Sequence, residues 1–500
     1  MIKRLAFFFL LLVILVYPNK VFASYEFSKG CESALLEILN LNLKKASEIL
    51  DQERKRTPDN YFIDYLENYR DIVELLVIED KKSYDDFLKR FYNRLDKMEE
   101  GKTETPYYRA VRAEMMAQTG LTNVMNGDEI AGFMKIFKAN KLLKKNFDEF
   151  PDFYLNKKLY GVFNVAFDNI PLSVKWATSL LGLVGDTDDG FTYLNTYKKE
   201  VQGRLGVYSE SLIYQIFAFS IVSDYQSAYE MLKRDYAPYI STTLGTYLYA
   251  VVLYRISKNE ESLKLLYSLN IDDMDIEFNP IIQLIAREKL NRLDSDADVY
   301  WLRYLNNSKS KNLKKEACNK LSYFYLINNN EEKFFYYRNM ISTYDKAIMR
   351  EDREADVDIN RPLPINVDIL KAQFLVAGSY FERANLILEE FNPHEATNLS
   401  NRIQYYLLKG IILSKTGEYD KALLMFNQAI DQGKKISESY AAEAAFMAGT
   451  LAYDNGYYDE AYDYYKLCQS IDCDDNIYRE IILKNVKKQL KKLKQLNLRN

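Results

Sequence analysis

His394 is the only histidine among the 500 residues, and it lies in the loop-like stretch Asn392-Pro393-His394. Imidazole is the commonest general base and zinc ligand, so a solitary histidine limits the chemistry open to this chain. A Ser-His-Asp triad could be built only around His394, and no Gly-x-Ser-x-Gly elbow supplies its nucleophile. A His-Glu-x-x-His zinc site is excluded outright. His394 is therefore read as a capping or solvent-facing residue.

Two acidic clusters approach the pattern of a calcium loop and fail it. Asp186-Thr-Asp188-Asp189-Gly190 carries its glycine one position early and has Tyr197 at the twelfth place. Asp294-Ser-Asp296-Ala-Asp298 has Val299 where glycine is needed and Leu305 where glutamate is needed. Both are read as acidic capping of the helix that follows. The glycine cluster Gly182-Leu-Val-Gly185 lacks the Gly-Lys-Ser/Thr ending of a phosphate loop. Of the four cysteines, Cys468 and Cys473 are close enough to pair in an oxidising compartment, but the spacing matches no zinc pattern. No catalytic, cofactor or metal residues are assigned, and the chain is read as no enzyme.

The elements that hold these residues follow from composition. Only 18 Gly and 10 Pro are present, whereas a β-rich protein of this length needs many turns. Hydrophobic residues make up 48%, enough for a packed interior. A net charge of −4 gives no electrostatic basis for binding nucleic acid. The 42 tyrosines are read first as aromatic knobs between helices, and only second as carbohydrate-stacking surfaces.

Residues 1–23 have the layout of a cleaved signal peptide. Lys3 and Arg4 precede the apolar run Leu5–Val16, and Val21 and Ala23 stand before Ser24. The run is short for a spanning helix, and no cysteine follows Ala23 directly. The expectation is a soluble, exported protein, periplasmic or extracellular.

The remainder repeats. Gly410 precedes Gly417-Glu-Tyr-Asp-Lys-Ala422, Phe426 and Ala429; Gly449 precedes Gly456-Tyr-Tyr-Asp-Glu-Ala461, Tyr465 and Cys468. The first glycine lets two helices approach, the second opens the turn, and the alanine marks the crossing. The aromatic four residues on shares that face. The same small-then-large pair is traced back through Ala384/Leu388, Lys333/Tyr337, Ala297/Trp301, Ser262/Leu266, Ala228/Leu232, Gly190/Leu194, Ala139/Leu143, Ser83/Phe87 and Ala46/Leu50. Pro58 and Pro151 each follow their alanine by twelve residues and end the second helix. These residues resemble the tetratricopeptide repeat over nearly the whole mature chain. The resemblance implies an all-α, right-handed solenoid of antiparallel helix pairs.

Three wide spacings point to insertions near 101–135, with a soft stretch from Gly120 to Gly127, near 152–190, and over 341–365. The last holds Arg350-Glu-Asp-Arg-Glu, Pro362 and Pro364, and is read as a linker between a repeat array at 24–340 and tetratricopeptide repeats at 366–476. Within 152–191, Gly161, Phe163, Pro171, Trp176, Gly185 and Gly190 resemble the inclusion body clearance protein family and its uncharacterised bacterial relatives. That resemblance implies the fold, and links eukaryotic members to lipid droplets and protein inclusions.

Residues 477–500 form a basic amphipathic helix. Ile482, Val486, Leu490 and Leu493 make one stripe, flanked by Lys484, Lys487, Lys488, Lys491, Lys492 and Lys494. A solenoid needs such a helix to end its core; the other reading is peripheral contact with an anionic membrane. Function is accordingly read as a non-catalytic, exported scaffold for a protein or peptide partner in the cell envelope. The alternatives are a peripheral membrane or lipid-associated factor and, less favoured, an enzyme.

Overall fold

The computed structural model describes residues 24–78, 81–103, 105–170, 178, 181–239, 242–271, 274, 277–345, 349–396, 398–434, 436, 438–473 and 476–497. The signal-peptide reading of 1–23, and Pro171 and Trp176 of the second resemblance, lie outside these residues. Among the described residues there are 24 α-helices and one short 3-10 turn. The only β-type contact is a single bridge between Ser24 and Asn60.

The helices fall into two compact units, one of residues up to 252 with 269–277, the other of 253–268 with 278–500. The chain runs through α1 (Lys29–Leu39), α2 (Leu43–Arg56), α3 (Tyr61–Ile78), α4 (Lys81–Glu100), α5 (Pro106–Met125), α6 (Glu129–Glu149), α7 (Tyr154–Asp168), α8 (Thr187–Glu200), α9 (Leu205–Ile221), α10 (Tyr225–Tyr239) and α11 (Thr243–Arg255). It continues through α12 (Asn259–Tyr267), α13 (Asn279–Arg292), α14 (Ala297–Asn307), α15 (Lys314–Ile327), α16 (Glu331–Ile341), α17 (Arg350–Asp358), α18 (Val367–Ala377) and α19 (Phe381–Glu389). It ends with α20 (Leu399–Lys415), α21 (Tyr419–Gly433), α22 (Tyr440–Asp454), α23 (Tyr458–Ser470) and α24 (Asn476–Asn497).

Among the described residues one turn recurs ten times, once at Gly182, where the Leu183 N–H donates to the Thr178 carbonyl at 2.9 Å, and at nine places between paired helices. The residues Leu41, Gly127, Ser223, Ser257, Leu293, Asn329, Ser379, Gly417 and Gly456 all have positive φ, and each ends the first helix of a pair. In every case the next N–H donates to the carbonyl five residues back, at 2.8 to 3.0 Å, as in Glu418 to Leu413 and Asn42 to Glu37. This is a Schellman closure, which satisfies a helix carbonyl that would otherwise be orphaned. Five residues after eight of these nine turns stands the residue where the second helix crosses the first: Ala46, Gly132, Ala228, Ser262, Phe334, Ala384, Ala422 and Ala461. All eight are buried. An identical turn and crossing repeated at this spacing make the chain an all-α helical-repeat protein.

The turn register corrects two expected marks. Lys333 is exposed, and the buried pair one residue on, Phe334 and Arg338, faces the neighbouring helix. In α6 the crossing residue is Gly132, while Ala139 and Leu143 lie further along the same buried face. Residues 101–135 are therefore not an insertion. The stretch Gly120–Gly127 is the end of α5 and its closing turn.

The linker expected over 341–365 is also corrected. Residues Arg350–Asp358 form α17, which packs on α15. Asp352 is buried, and its carboxylate accepts the backbone N–H groups of Leu313 and, at 3.0 Å, Glu316. A run of charges reads as solvated linker, but here one of them caps the start of another helix. The boundary between compact units falls instead near 252–278.

α24 closes the second unit as expected. Ile482, Val486 and Leu493 join the core built by α20 to α23.

Candidate functional site

The sequence-assigned repeat positions make packing contacts. A Cβ on Gly161 would lie 2.9 Å from the Gly190 carbonyl oxygen, and one on Gly190 would lie 2.8 Å from the Gly161 oxygen. These two glycines let α7 and α8 touch backbone to backbone. A Cβ at Gly185 would fall 2.2 Å from the Asn164 oxygen. The second resemblance therefore rests, at its described glycines, on close packing.

His394 is exposed, and its backbone N–H is accepted by Asn392 Oδ1 at 3.1 Å. Asp186 caps α8 by accepting the Asp189 N–H at 2.9 Å, as expected. The second acidic cluster behaves differently. Asp294 pairs with Arg292 at 2.7 Å, Asp296 with Lys289 at 2.8 Å, and Asp298 accepts the Tyr325 hydroxyl at 3.0 Å. Its carboxylates serve ion pairs and a tyrosine, and Asp296 makes no side-chain cap bond. Among the described residues no group of three or more His, Cys, Asp or Glu could hold a metal ion. Cys468 and Cys473 are both buried and form no disulfide. The Cys468 Sγ–H donates to the Ala442 carbonyl at 3.1 Å, and burial pushes this thiol up to about 12.

The first unit holds a buried polar cluster that sequence reading did not find. α9 packs on both α1 and α7, bringing together first helices far apart in sequence. Lys158 of α7 is 2% exposed. Its Nζ lies 2.6 Å from Glu114 Oε1 of α5, 3.0 Å from Glu210 Oε2 of α9 and 3.2 Å from the Tyr65 hydroxyl of α3. Tyr65 Oη is also 2.9 Å from Glu114 Oε1 and 3.0 Å from Glu210 Oε1. One phenol proton can satisfy only one of those contacts, and a proton on a carboxyl would satisfy the second. Burial pushes the Glu210 carboxyl up, with Lys158 opposing and Glu114 reinforcing. A protonated Glu210 leaves one cation facing one carboxylate, the arrangement a dry interior tolerates. The cluster ties four helices together and lines a small pocket with Phe27, Phe62 and Tyr197.

The second unit holds an open space. A cavity of about 230 Å³ lies between α15, α17 and α18, with Arg361 and Tyr478 of α24 also on its wall. Its carboxylates are answered by arginines. Glu316 takes both arms of Arg287, at 2.7 and 2.6 Å; Glu354 pairs with Arg350 at 2.7 Å; Asp358 pairs with Arg361 at 3.0 Å. Glu351 faces Arg255 at 3.8 Å. Lys320 stands over the Phe374 ring, 5.7 Å from its centroid. The Arg361 guanidinium lies 5.5 Å from the Tyr440 ring and 5.6 Å from the Tyr478 ring. Asn319 is 2% exposed and gives its Nδ2 to Asp358 at 2.8 Å, leaving Oδ1 without a donor.

None of these wall residues stood out in sequence, because each is an ordinary charge on an ordinary helix. The one available signal was position. Glu316, Asn319, Lys320 and Phe374 lie on the first helix of a pair, α15 or α18, where a correct turn register would have drawn attention to them.

No protein-family model matches the sequence, and no curated protein matches it. Among solved structures, a match covers 87% of this chain and 67% of the other, at 13% identity and a TM-score of 0.20. That structure is described as Naa15/Naa10 bound to HypK-THB. A superposition this loose carries no argument about role.

Proposed function

We propose that this protein is a non-catalytic repeat scaffold that holds a protein or peptide segment at the cavity of its second unit. The observation behind this reading is the 230 Å³ cavity, walled by charged and aromatic side chains from α15, α17, α18 and α24. Stacked helix pairs offer such surfaces to extended partners, with side chains from neighbouring repeats acting together. The non-catalytic reading rests on the lone His394 and the missing nucleophile and metal motifs. Export rests on the layout of residues 1–23, and with it the cell-envelope setting. The inclusion body clearance resemblance contributes a shared helix-pair fold to this reading, and no role is taken from it.

A photo-crosslinker placed at Gln373, an exposed residue on the cavity wall, tests the reading in intact cells. The expected result is a discrete crosslinked chain identified by mass spectrometry. The same probe at Leu386, 64% exposed on α19, should not yield it. Equal capture from both positions, or none from Gln373, overturns the groove assignment. Fractionation of the same cells tests export: recovery of the chain with its first 23 residues intact in the cytoplasm overturns it.

A further inference from the structure

The last helix has two faces, and the fold uses only one of them. Ile482, Val486 and Leu493 are buried in the C-terminal core. Lys484, Lys487, Lys488, Lys491, Lys492 and Lys494 are all exposed. At 100° per residue these lysines span one arc centred opposite the buried stripe, and at 1.5 Å per residue they extend over roughly 15 Å. No acidic residue occurs from 481 to the end of the chain, although the whole protein carries a net charge of −4. The positive strip is thus local and points away from the core.

We propose that this lysine face binds an anionic lipid surface electrostatically while the opposite face stays docked as the cap. Capping and membrane contact are then simultaneous properties of α24. The partner chemistry follows from the strip itself. Lysines are mobile point charges on flexible stems, suited to a fluid field of headgroups, whereas fixed bidentate recognition favours arginine. The apolar stripe is already occupied, so the helix does not insert, and binding is salt-labile. The inference is independent of the groove in the second unit.

The test uses the chain from Ser24 onward, which contains every described helix, in flotation with two vesicle types. One is phosphatidylcholine alone; the other is equal parts phosphatidylcholine and phosphatidylglycerol. Binding is expected only to the second, and is lost in high salt. The variant Lys487→Gln/Lys491→Gln/Lys492→Gln should bind about a hundredfold more weakly, at about fivefold per lysine. Its melting curve should match the parent, and the corresponding Lys→Arg variant should retain binding. Equal binding to both vesicle types, an unaffected Gln variant, or binding that survives high salt overturns the proposal. Retention by polyglutamate with no retention by vesicles also overturns it, in favour of an acidic polypeptide.

Discussion

The Phe426 ring occupies the place where a side chain on Gly410 would be: a Cβ there would stand 2.6 Å from both Cδ1 and Cε1 of the ring. Gly449 and Tyr465 repeat the relationship one hairpin later, at 2.8 Å. Each glycine sits in a first helix, α20 or α22, and each aromatic in the second helix of the same pair. Both rings are buried.

Gly410→Ala should therefore destabilise the C-terminal repeats, although alanine is the better helix former. The propensity gain is about 1 kcal/mol, and overpacking against a fixed ring costs about 1–3 kcal/mol. The net loss of about 1 kcal/mol should appear in urea unfolding. Gly410→Ala combined with Phe426→Leu should recover part of it. An unchanged or raised stability for Gly410→Ala alone would show that the ring can move away freely.

Lys158→Met should cost about 3–5 kcal/mol, because it strands buried carboxyl groups without their cation. Glu210→Gln should cost under about 1 kcal/mol, since the amide imitates the protonated carboxyl. The contrast between the two, read by denaturant unfolding, checks the assignment of the proton to Glu210. A Glu210→Gln variant as damaged as Lys158→Met would place it elsewhere.

Glu288 of α13 is fully buried, and burial pushes its carboxyl up to about 8, with Ser262 and Arg292 opposing. In the unfolded chain it titrates at about 4.3. Between those values the folded protein holds a proton that the unfolded chain has released. Stability from this group is therefore present at low pH and lost as pH rises toward about 8. Glu288→Gln should flatten that decline, raising the melting temperature at pH 8 and changing it little at pH 4. A variant that tracks the parent at both pH values would show that this carboxyl is solvated.

Val486→Asp should unfold the cap, because it forces a charge into a site with no exposure. The cost is about 3 kcal/mol or more. Loss of helicity confined to the last repeats, with aggregation of the exposed seam, is the expected outcome by circular dichroism and light scattering. A soluble variant of parental helicity would mean that α24 is not sealing the core.

The repeat was legible because its cause is local. A small residue, an aromatic four positions later, and a glycine at the turn are constraints within one hairpin, so Ala422, Ala461, Gly410 and Gly449 fell where they were expected. Ser223, Ser257, Ser379, Asn329 and Leu41 adopt the positive φ that Gly417 and Gly456 adopt, and none of them signals a turn as glycine does. The register slips by one at Lys333, whose turn residue is Asn329, and by seven at Ala139, where Gly127 does mark the turn but Ala139 and Leu143 repeat the small-then-large pair further along the same buried face. The linker reading of 341–365 failed for a related reason. Local charge density cannot show that Asp352 reaches the amides of Leu313 and Glu316, nearly forty residues earlier in the chain. The sequence by itself determined that helices form, pair and end in an amphipathic cap, because those depend on patterns a few residues long. Only the tertiary structure decided that Tyr65, Glu114, Lys158 and Glu210 meet in one buried cluster in the first unit, and that Glu316, Lys320, Asp358 and Phe374 surround an open space in the second. Such groupings are set by how successive pairs stack, which brings residues from separate helices within hydrogen-bonding distance, and no pattern along the chain encodes that distance.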